Sequence, residues 1–184
     1  MALGDAFITK QDEEIAQILA GINIFEGLST LERSRIAKFF LRKSYKPNDS
    51  IIKESEPGDG MFVIREGAVK VTKSLGDGGE KVLANLVDGN FFGELALLDG
   101  YPRSASVIAM NNTDMLELYR ASLMELINKW PRIGVKVMFN LAKILGERIR
   151  ESGDKIKDIL IWETLKKQAV LEHTTQQAAK IEEK

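Results

Sequence analysis

A chain of 184 residues, 44% of them hydrophobic and 29% charged, is long enough to bury one core and carry a helical extension. Its formal net charge of −1 provides no general attraction to nucleic acid or to an anionic membrane. The chain has no cysteine and one histidine, His173, which excludes disulfides, thiolate metal sites and iron–sulfur clusters. The same composition argues against a transition-metal centre and against most hydrolytic catalysis.

The N-terminal zone predicts an arm over residues 1–14 and two short helices after it. Apolar residues between Glu13 and Ala20 recur at helical spacing, and Gly21 ends that pattern. Ser29 and Glu32 have the spacing of a capping box, and a second helical pattern follows at Ile36, Phe39 and Phe40. The N-terminus lacks a signal-peptide pattern and no stretch approaches the roughly 18 apolar residues of a membrane span, so we expect a cytoplasmic protein without a membrane partner.

From about Tyr45 to Tyr119 the pattern becomes one of short strands. Runs rich in β-branched and apolar residues lie at Met61–Ile64, Val69–Val71, Val82–Leu86, Val107–Ala109 and Met115–Leu118. Turn residues separate them, at positions 57–60, 76–79, 88–90 and 111–112. This spacing predicts a mainly β protein with flanking helices, an antiparallel barrel or jelly roll. A generic β-sandwich would show the same pattern of short apolar runs separated by turn residues.

After Ser122 the pattern is helical again and predicts a long C-terminal helix. Its apolar seam advances in steps of four and three through Met138, Ala142, Leu145, Ile149, Ser152, Ile156 and Ile159. Such a seam could pack on the barrel, on a second copy of the chain, or on both, and we expect a parallel homodimer. Residues 161–184 are predicted to be a helical or disordered tail.

The segment from Phe91 to Val107 carries the chemistry. Gly93 allows a tight turn and close approach of a ligand, and a helix-compatible run, Glu94 to Leu98, follows it. Amides at the start of that run and the planar guanidinium of Arg103 suit phosphate oxygens, whereas the Glu94 carboxylate suits a sugar hydroxyl. An ion pair between Glu94 and Arg103 in a surface loop is the alternative.

In its full order this segment resembles the phosphate-binding cassette of the cyclic-nucleotide-binding family, which includes the catabolite activator protein and the regulatory subunits of cyclic-AMP-dependent protein kinase. The family pattern is Phe-Gly-Glu-Leu-Ala, a short gap, then Pro-Arg, a small residue, Ala, and Thr or Ser. The matching residues are Phe92, Gly93, Glu94, Leu95, Ala96, Pro102, Arg103, Ser104, Ala105 and Ser106. Pro57–Asp59, Met61–Phe62 and Gly67 resemble the hairpin that precedes the cassette, and the resemblance extends over about 15–160, the expected binding domain.

The resemblance implies a double-stranded β-helix barrel and a role for each matching residue. Arg103 would hold the cyclic phosphate with backbone amides near Ala96 and with Ser104 or Ala105, and Glu94 would accept the ribose hydroxyl. Gly93 and Leu95 would shape the turn beside Phe92. The base would lie against the barrel wall at Val71, Leu83 and Ala84 and under the long helix at Arg148, Ile149 and Ser152.

We therefore expect a stand-alone regulatory sensor that binds cyclic AMP or cyclic GMP, has no enzymatic activity and no cofactor, and signals to a separate downstream protein. Ser152 suits the amino group of adenine and favours cyclic AMP, whereas Ser104 after the cassette arginine would favour guanine. The segment after Trp162 is too short for the helix-turn-helix domain of the transcription regulators, so direct binding to DNA is not expected. The alternative is a ligand-free dimerisation or scaffold module of the same fold. A cupin enzyme or a haem sensor would need histidines that the barrel segment lacks.

Overall fold

The computed structural model describes residues 8–76 and 78–182, with side chains as far as residue 164 and at 166. Parts of the predicted arm and tail, the turn residue at 77 and the side chain of His173 lie outside the described residues. Contacts along the chain form two compact units, 1–140 and 141–184.

The first unit begins with the two predicted helices. α1 (Lys10–Leu19) starts earlier than the apolar pattern, because Thr9 and Asp12 form a capping box of their own. α2 (Thr30–Ala37) has the predicted box, in which the Glu32 carboxylate accepts from the Ser29 amide at 2.8 Å. A 3-10 turn, Asn23–Phe25, connects the two helices.

Within the described residues eight strands follow in chain order: β1 (Phe40–Tyr45), β2 (Ser50–Ile52), β3 (Gly60–Glu66), β4 (Ala68–Ser74), β5 (Glu80–Val87), β6 (Phe91–Phe92), β7 (Ser106–Ala109) and β8 (Thr113–Tyr119). They form two four-stranded antiparallel sheets, ordered β1-β8-β3-β6 and β2-β7-β4-β5. Strands that follow one another in the chain repeatedly enter different sheets, which is the arrangement of a jelly roll. The predicted fold class is confirmed, and each of the five predicted strand runs lies inside a strand.

One sequence-based expectation at the helix–strand junction is wrong. The spacing of Ile36, Phe39 and Phe40 suggested a continuing helix, but α2 ends at Ala37 and Phe40 opens β1. Phe40 pairs with Leu118 across the sheet, and its ring meets that of Phe25 edge-on at 5.8 Å. Sheet pairing and burial therefore override the local helical spacing.

The core lies between the two sheets and is formed by the side chains that face inward from them. Its buried members are Tyr45, Ile52, Phe62, Ile64, Val69, Phe92, Val107, Ala109 and Met115. Truncating a fully buried member such as Ile64 to alanine would cost about 2–5 kcal/mol. This core fixes the strands on which the functional residues lie.

Two further helices follow the barrel, α4 (Arg120–Lys129) and the 52-residue α5 (Pro131–Glu182). The break falls at Trp130, which leaves the helical conformation with φ −134° and ψ 74°, because a following proline disfavours the helical region. The start of α5 is attached to the first unit, because the Asn140 amide donates to the carbonyl oxygens of Ile24 and Glu26 at 3.1 and 2.9 Å.

The second unit consists of the remainder of α5, whose backbone is helical as far as Glu182. Along the predicted seam in this unit, Leu145 is half-buried and the residues from Ile149 onward are exposed. Among the described helices, none combines the length and the apolarity that crossing a membrane requires.

Candidate functional site

The segment from Phe91 to Val107 forms a continuous path from β6 through a short helix to β7. The helix, α3 (Glu94–Asp99), contains the predicted run and one residue more. Gly93 precedes it with a φ of 78°, a left-handed conformation that favours glycine. A Cβ at this position would lie 2.8 Å from Nη1 of Arg103 and 3.0 Å from the carbonyl oxygen of Gly60. Gly93 therefore lets the turn close onto the arginine.

Arg103 is held by hydrogen bonds to backbone carbonyl groups of this turn and of the neighbouring segment before and at the start of β3. Its Nη1 atom donates to the carbonyl oxygens of Gly60 at 2.8 Å and Gly93 at 3.2 Å. Its own amide donates to the Glu56 carbonyl at 2.8 Å, which fixes the backbone as well. These bonds use only part of the five-donor guanidinium, so further donors can serve an anion.

The electrostatic setting of Arg103 favours a negatively charged ligand. Burial lowers the pKa of the guanidinium, and the acidic groups of Asp59, Tyr119 and Glu94 oppose that shift. The group stays cationic, because arginine does not deprotonate in proteins at ordinary pH. A partly dehydrated cation interacts more strongly with a phosphate than an exposed one does.

Glu94 lies in the first turn of α3 and is only 4% exposed. The surface-loop setting of the alternative is therefore wrong for Glu94, whose charge opposes the lowering of the pKa of Arg103 by burial. A sugar hydroxyl is a suitable further hydrogen-bond donor to a buried carboxylate.

The residues expected to form the wall around a base lie on two paired strands. Val71 of β4 pairs directly with Ala84 of β5, and the register shifts immediately afterwards, where Thr72 pairs with Val82. Leu83 is the extra residue at this bulge and is 51% exposed. The three predicted wall residues therefore lie together, with Val71 half-buried on β4 and Leu83 and Ala84 exposed on β5.

Phe92 lies in the core and is buried behind the cassette. Its ring stacks on that of Phe62, with centroids 5.2 Å apart and planes at 13°. The guanidinium of Arg103 lies over the other aromatic ring of this pair, 5.6 Å from the centroid of Phe62. Phe92 therefore supports the ring beneath the arginine.

The remaining cassette residues differ in exposure. Ala96 is buried, Leu95 is exposed and Ala105 is half-buried. The Ser104 carbonyl oxygen accepts a hydrogen bond from Nζ of Lys73 at 2.8 Å, which ties the end of the cassette to β4. Arg148 and Ser152 lie in the second unit, so their contact with a base stays a prediction.

A cavity of about 180 Å³ reaches Arg103 from the side of β1, β2 and β8. Its charged lining residues are three basic ones, Lys43, Lys53 and Arg103, and three acidic ones, Glu56, Asp59 and Glu117. Arg103 is the one predicted site residue among the lining residues. The cavity is thus distinct from the predicted base wall and shares the arginine with the cassette.

Comparison with known proteins agrees with this geometry. A family model described as the cyclic nucleotide-binding domain matches residues 42–129. A solved cyclic nucleotide-binding domain from Methylobacillus flagellatus is 33% identical and superimposes with a TM-score of 0.70, over 80% of this chain and 83% of that one. The chain belongs to the cyclic-nucleotide-binding domain family.

Curated relatives include a cyclic AMP receptor protein and a protein kinase regulatory subunit. The cyclic AMP receptor protein of Thermus thermophilus is 32% identical over 145 residues, which are 79% of this chain and 65% of that protein. A cAMP-dependent protein kinase regulatory subunit of Mycosarcoma maydis is 34% identical over 140 residues, 76% of this chain and 25% of the subunit. The chain thus spans just under two thirds of one relative and a quarter of the other. The predicted resemblance is confirmed, and the domain that defines this family binds a ligand and is not a catalytic one.

Sequence reasoning missed one cluster in this cyclic-nucleotide-binding domain. Glu117 of β8 is 2% exposed and accepts hydrogen bonds from the hydroxyls of Tyr45 at 2.6 Å and Tyr119 at 2.5 Å. Burial and the Glu117 carboxylate raise the pKa of Tyr45, and the bond to Glu117 with burial raises that of Tyr119 to about 12. The available signal was an acidic residue at an inward position of the otherwise apolar run Met115–Leu118.

Proposed function

We propose that this protein binds a cyclic nucleotide, in particular cyclic AMP, and acts as a regulatory sensor without a cofactor of its own. The observation that carries the proposal is the placement of Arg103 against the Gly93 turn, ten residues away in sequence. A guanidinium with donors to spare and a buried carboxylate at Glu94 belong to one short segment. Together they supply a cation for a phosphate and an acceptor for a ribose hydroxyl.

Each part of the ligand has a proposed partner. In this proposal Arg103 binds the cyclic phosphate, the Glu94 carboxylate accepts a hydrogen bond from the ribose hydroxyl, and the purine packs against Val71 and Ala84. Ser152 of α5 is proposed to contact the amino group of adenine, which is the basis for preferring cyclic AMP over cyclic GMP. The two curated relatives, a cyclic AMP receptor protein and a cAMP-dependent protein kinase regulatory subunit, support the same preference.

Calorimetric titration with cyclic AMP and cyclic GMP tests the proposal. Arg103→Ala should weaken binding by about 2–4 kcal/mol, because a phosphate would face an empty position. Arg42→Ala is the matched control, since Arg42 pairs with Asp114 on β8 and does not line the cavity. No heat from either nucleotide at high micromolar concentration, with folded wild-type protein, would leave the ligand-free scaffold as the better description.

We further propose that α5 transmits occupancy of the site to a separate partner protein. A ligand shifts a conformational equilibrium only by binding one state more tightly than the other. Contact between the base and the helix would provide that difference. Hydrogen exchange over residues 140 to 165 should slow when the nucleotide is bound, and unchanged exchange at saturation would indicate a passive binder.

The exposed seam of the second unit supports a parallel homodimer. Ile149 and Ile156 are 72% and 59% exposed, which is unusual for residues this apolar. The basic residues Arg148 and Lys155 immediately precede them on one flank, whereas Gly146 and Gly153 lie on the other. In an antiparallel pair the basic flank would face its own copy, and in a parallel pair it faces the glycines.

A further inference from the structure

The carboxylate of Glu117 is the buried ionisable group that the proposed binding mechanism does not use. It lies in the cavity lined also by Arg103, and both of its oxygens accept a phenol hydroxyl. Burying a carboxylate is costly unless hydrogen bonds compensate, so the two tyrosines make this charge tolerable inside the barrel. Nζ of Lys43 lies 3.9 Å from Oε1 of Glu117.

A path of contacts connects this carboxylate to the phosphate-binding arginine. Glu117 anchors the Tyr119 hydroxyl, and the Tyr119 ring packs against Gly60, where a Cβ would lie 3.1 Å from Cδ1 of the ring. The carbonyl oxygen of Gly60 in turn accepts from Nη1 of Arg103 at 2.8 Å. Gly60 also pairs with Tyr119 across β3 and β8, so a displacement of the Tyr119 ring would shift that carbonyl oxygen.

One cavity also brings these groups together. Glu117, Tyr119 and Arg103 all line this cavity of about 180 Å³. Because its pKa is raised to about 12, the Tyr119 phenol is neutral near pH 7, so it connects Glu117 to Arg103 by contact and not by charge.

We propose that Glu117 is a positioning residue that orients Arg103 for the ligand phosphate, acting through Tyr119 and the Gly60 carbonyl. Tyr119 is the link, whereas Tyr45 secures the other oxygen of the carboxylate. The ligand-binding consequence rests on the proposed function, but the orientation of Arg103 exists without ligand and can be measured alone.

The first arm of the test uses ligand-free protein. The side-chain NMR resonance of Arg103, assigned by its loss in Arg103→Lys, should report a restrained guanidinium in the wild type. Glu117→Gln and Tyr119→Phe should each broaden or average that resonance. Tyr45→Phe removes an equivalent bond to the same carboxylate and should leave the resonance near its wild-type position. An unchanged Arg103 resonance in both Glu117→Gln and Tyr119→Phe overturns the proposal.

The second arm measures affinity for cyclic AMP in a double-mutant cycle. Glu117→Gln and Tyr119→Phe should each weaken binding about three- to tenfold in the wild-type background. In the Arg103→Lys background the same changes should have little effect, because they act through the replaced guanidinium. Equal losses in both backgrounds mean that Glu117 serves general stability, and the positioning role is then wrong.

The two arms separate the two possible failures. If the wild type binds neither cyclic AMP nor cyclic GMP, the proposed function fails and the NMR arm still decides the role of Glu117. If Glu117→Gln does not fold, as judged by its thermal unfolding, Tyr119→Phe carries both arms, since it removes one hydroxyl and keeps the ring against Gly60.

Discussion

Nη1 of Arg103 donates a hydrogen bond to the carbonyl oxygen of Gly93 across 3.2 Å, and that same atom occupies the space that a Cβ on Gly93 would need. The left-handed turn and the arginine are therefore parts of a single arrangement. A side chain added at Gly93 would have to displace the guanidinium. A substitution at Gly93 therefore tests whether the turn positions Arg103.

Gly93→Ala should reduce both stability and ligand affinity. The φ of 78° disfavours alanine by about 1–3 kcal/mol, and the new methyl group would displace the guanidinium. We expect cyclic nucleotide binding to weaken by at least about tenfold, a loss of about 1.4 kcal/mol. Gly76→Ala is the control, because Gly76 has a similar φ of 82° and no neighbouring heavy atom within 4 Å of the added Cβ. Equal affinity in the two variants would show that the turn does not position Arg103.

The aromatic pair beneath the arginine offers a second comparison. Phe62→Leu and Phe92→Leu both remove the ring stacking, which contributes about 0.5–1.5 kcal/mol to stability. Arg103 lies over Phe62, so Phe62→Leu should also weaken nucleotide binding a few-fold, whereas Phe92→Leu should affect chiefly the melting temperature. Titration calorimetry and thermal unfolding of the two variants measure these effects. A larger loss of affinity in Phe92→Leu would contradict this assignment.

Asp114 should make stability depend on pH. Burial tends to raise its pKa, but hydrogen bonds from Arg42, Arg65 and Ser44 lower it below the ordinary value of 3.8. Since the unfolded chain then binds the proton more tightly, Asp114 stabilises the fold above about pH 4 and loses this contribution as the pH falls through its folded pKa. Asp114→Asn should cost about 1–3 kcal/mol at neutral pH.

Urea unfolding at several pH values checks this prediction. The difference in unfolding free energy between the wild type and Asp114→Asn should be largest above pH 5 and should shrink below about pH 4. A difference that stays constant between pH 3 and pH 7 would mean that the cluster stabilises through shape and not through charge.

Much of the barrel could be predicted because its signals are local. The apolar run Met61–Ile64 and the capping box at Ser29 each depend on neighbours in sequence, and both are present in the structure. The short strands β2 and β6 were missed because three and two residues are too few to show alternation. Phe40 was placed in a helix because its partner, Leu118, is 78 positions away and gives no local signal.

The candidate site likewise contains residues that could be predicted from local sequence and residues that could not. Gly93, Glu94 and Arg103 were recognised because they belong to one short segment with an ordered pattern. The cluster of Tyr45, Glu117 and Tyr119 was not, since Tyr45 of β1 is 72 positions from Glu117 of β8 and these strands pair only in the folded barrel. A charged residue in an apolar strand predicts burial with a partner, but it does not identify which partner.

The exposed seam of α5 leads to the last prediction. Replacing Ile149 and Ile156 with glutamate places like charges opposite each other in a parallel pair, so the double variant should be monomeric in sedimentation velocity experiments in which the wild type is a dimer. Glu151→Gln is the control, because Glu151 is exposed and lies outside the seam, and it should leave the assembly unchanged. A wild-type protein that sediments as a monomer across the micromolar range would refute the homodimer. A double variant that stays dimeric would place the interface on another surface, because two buried and opposed carboxylates at each position would cost several kcal/mol.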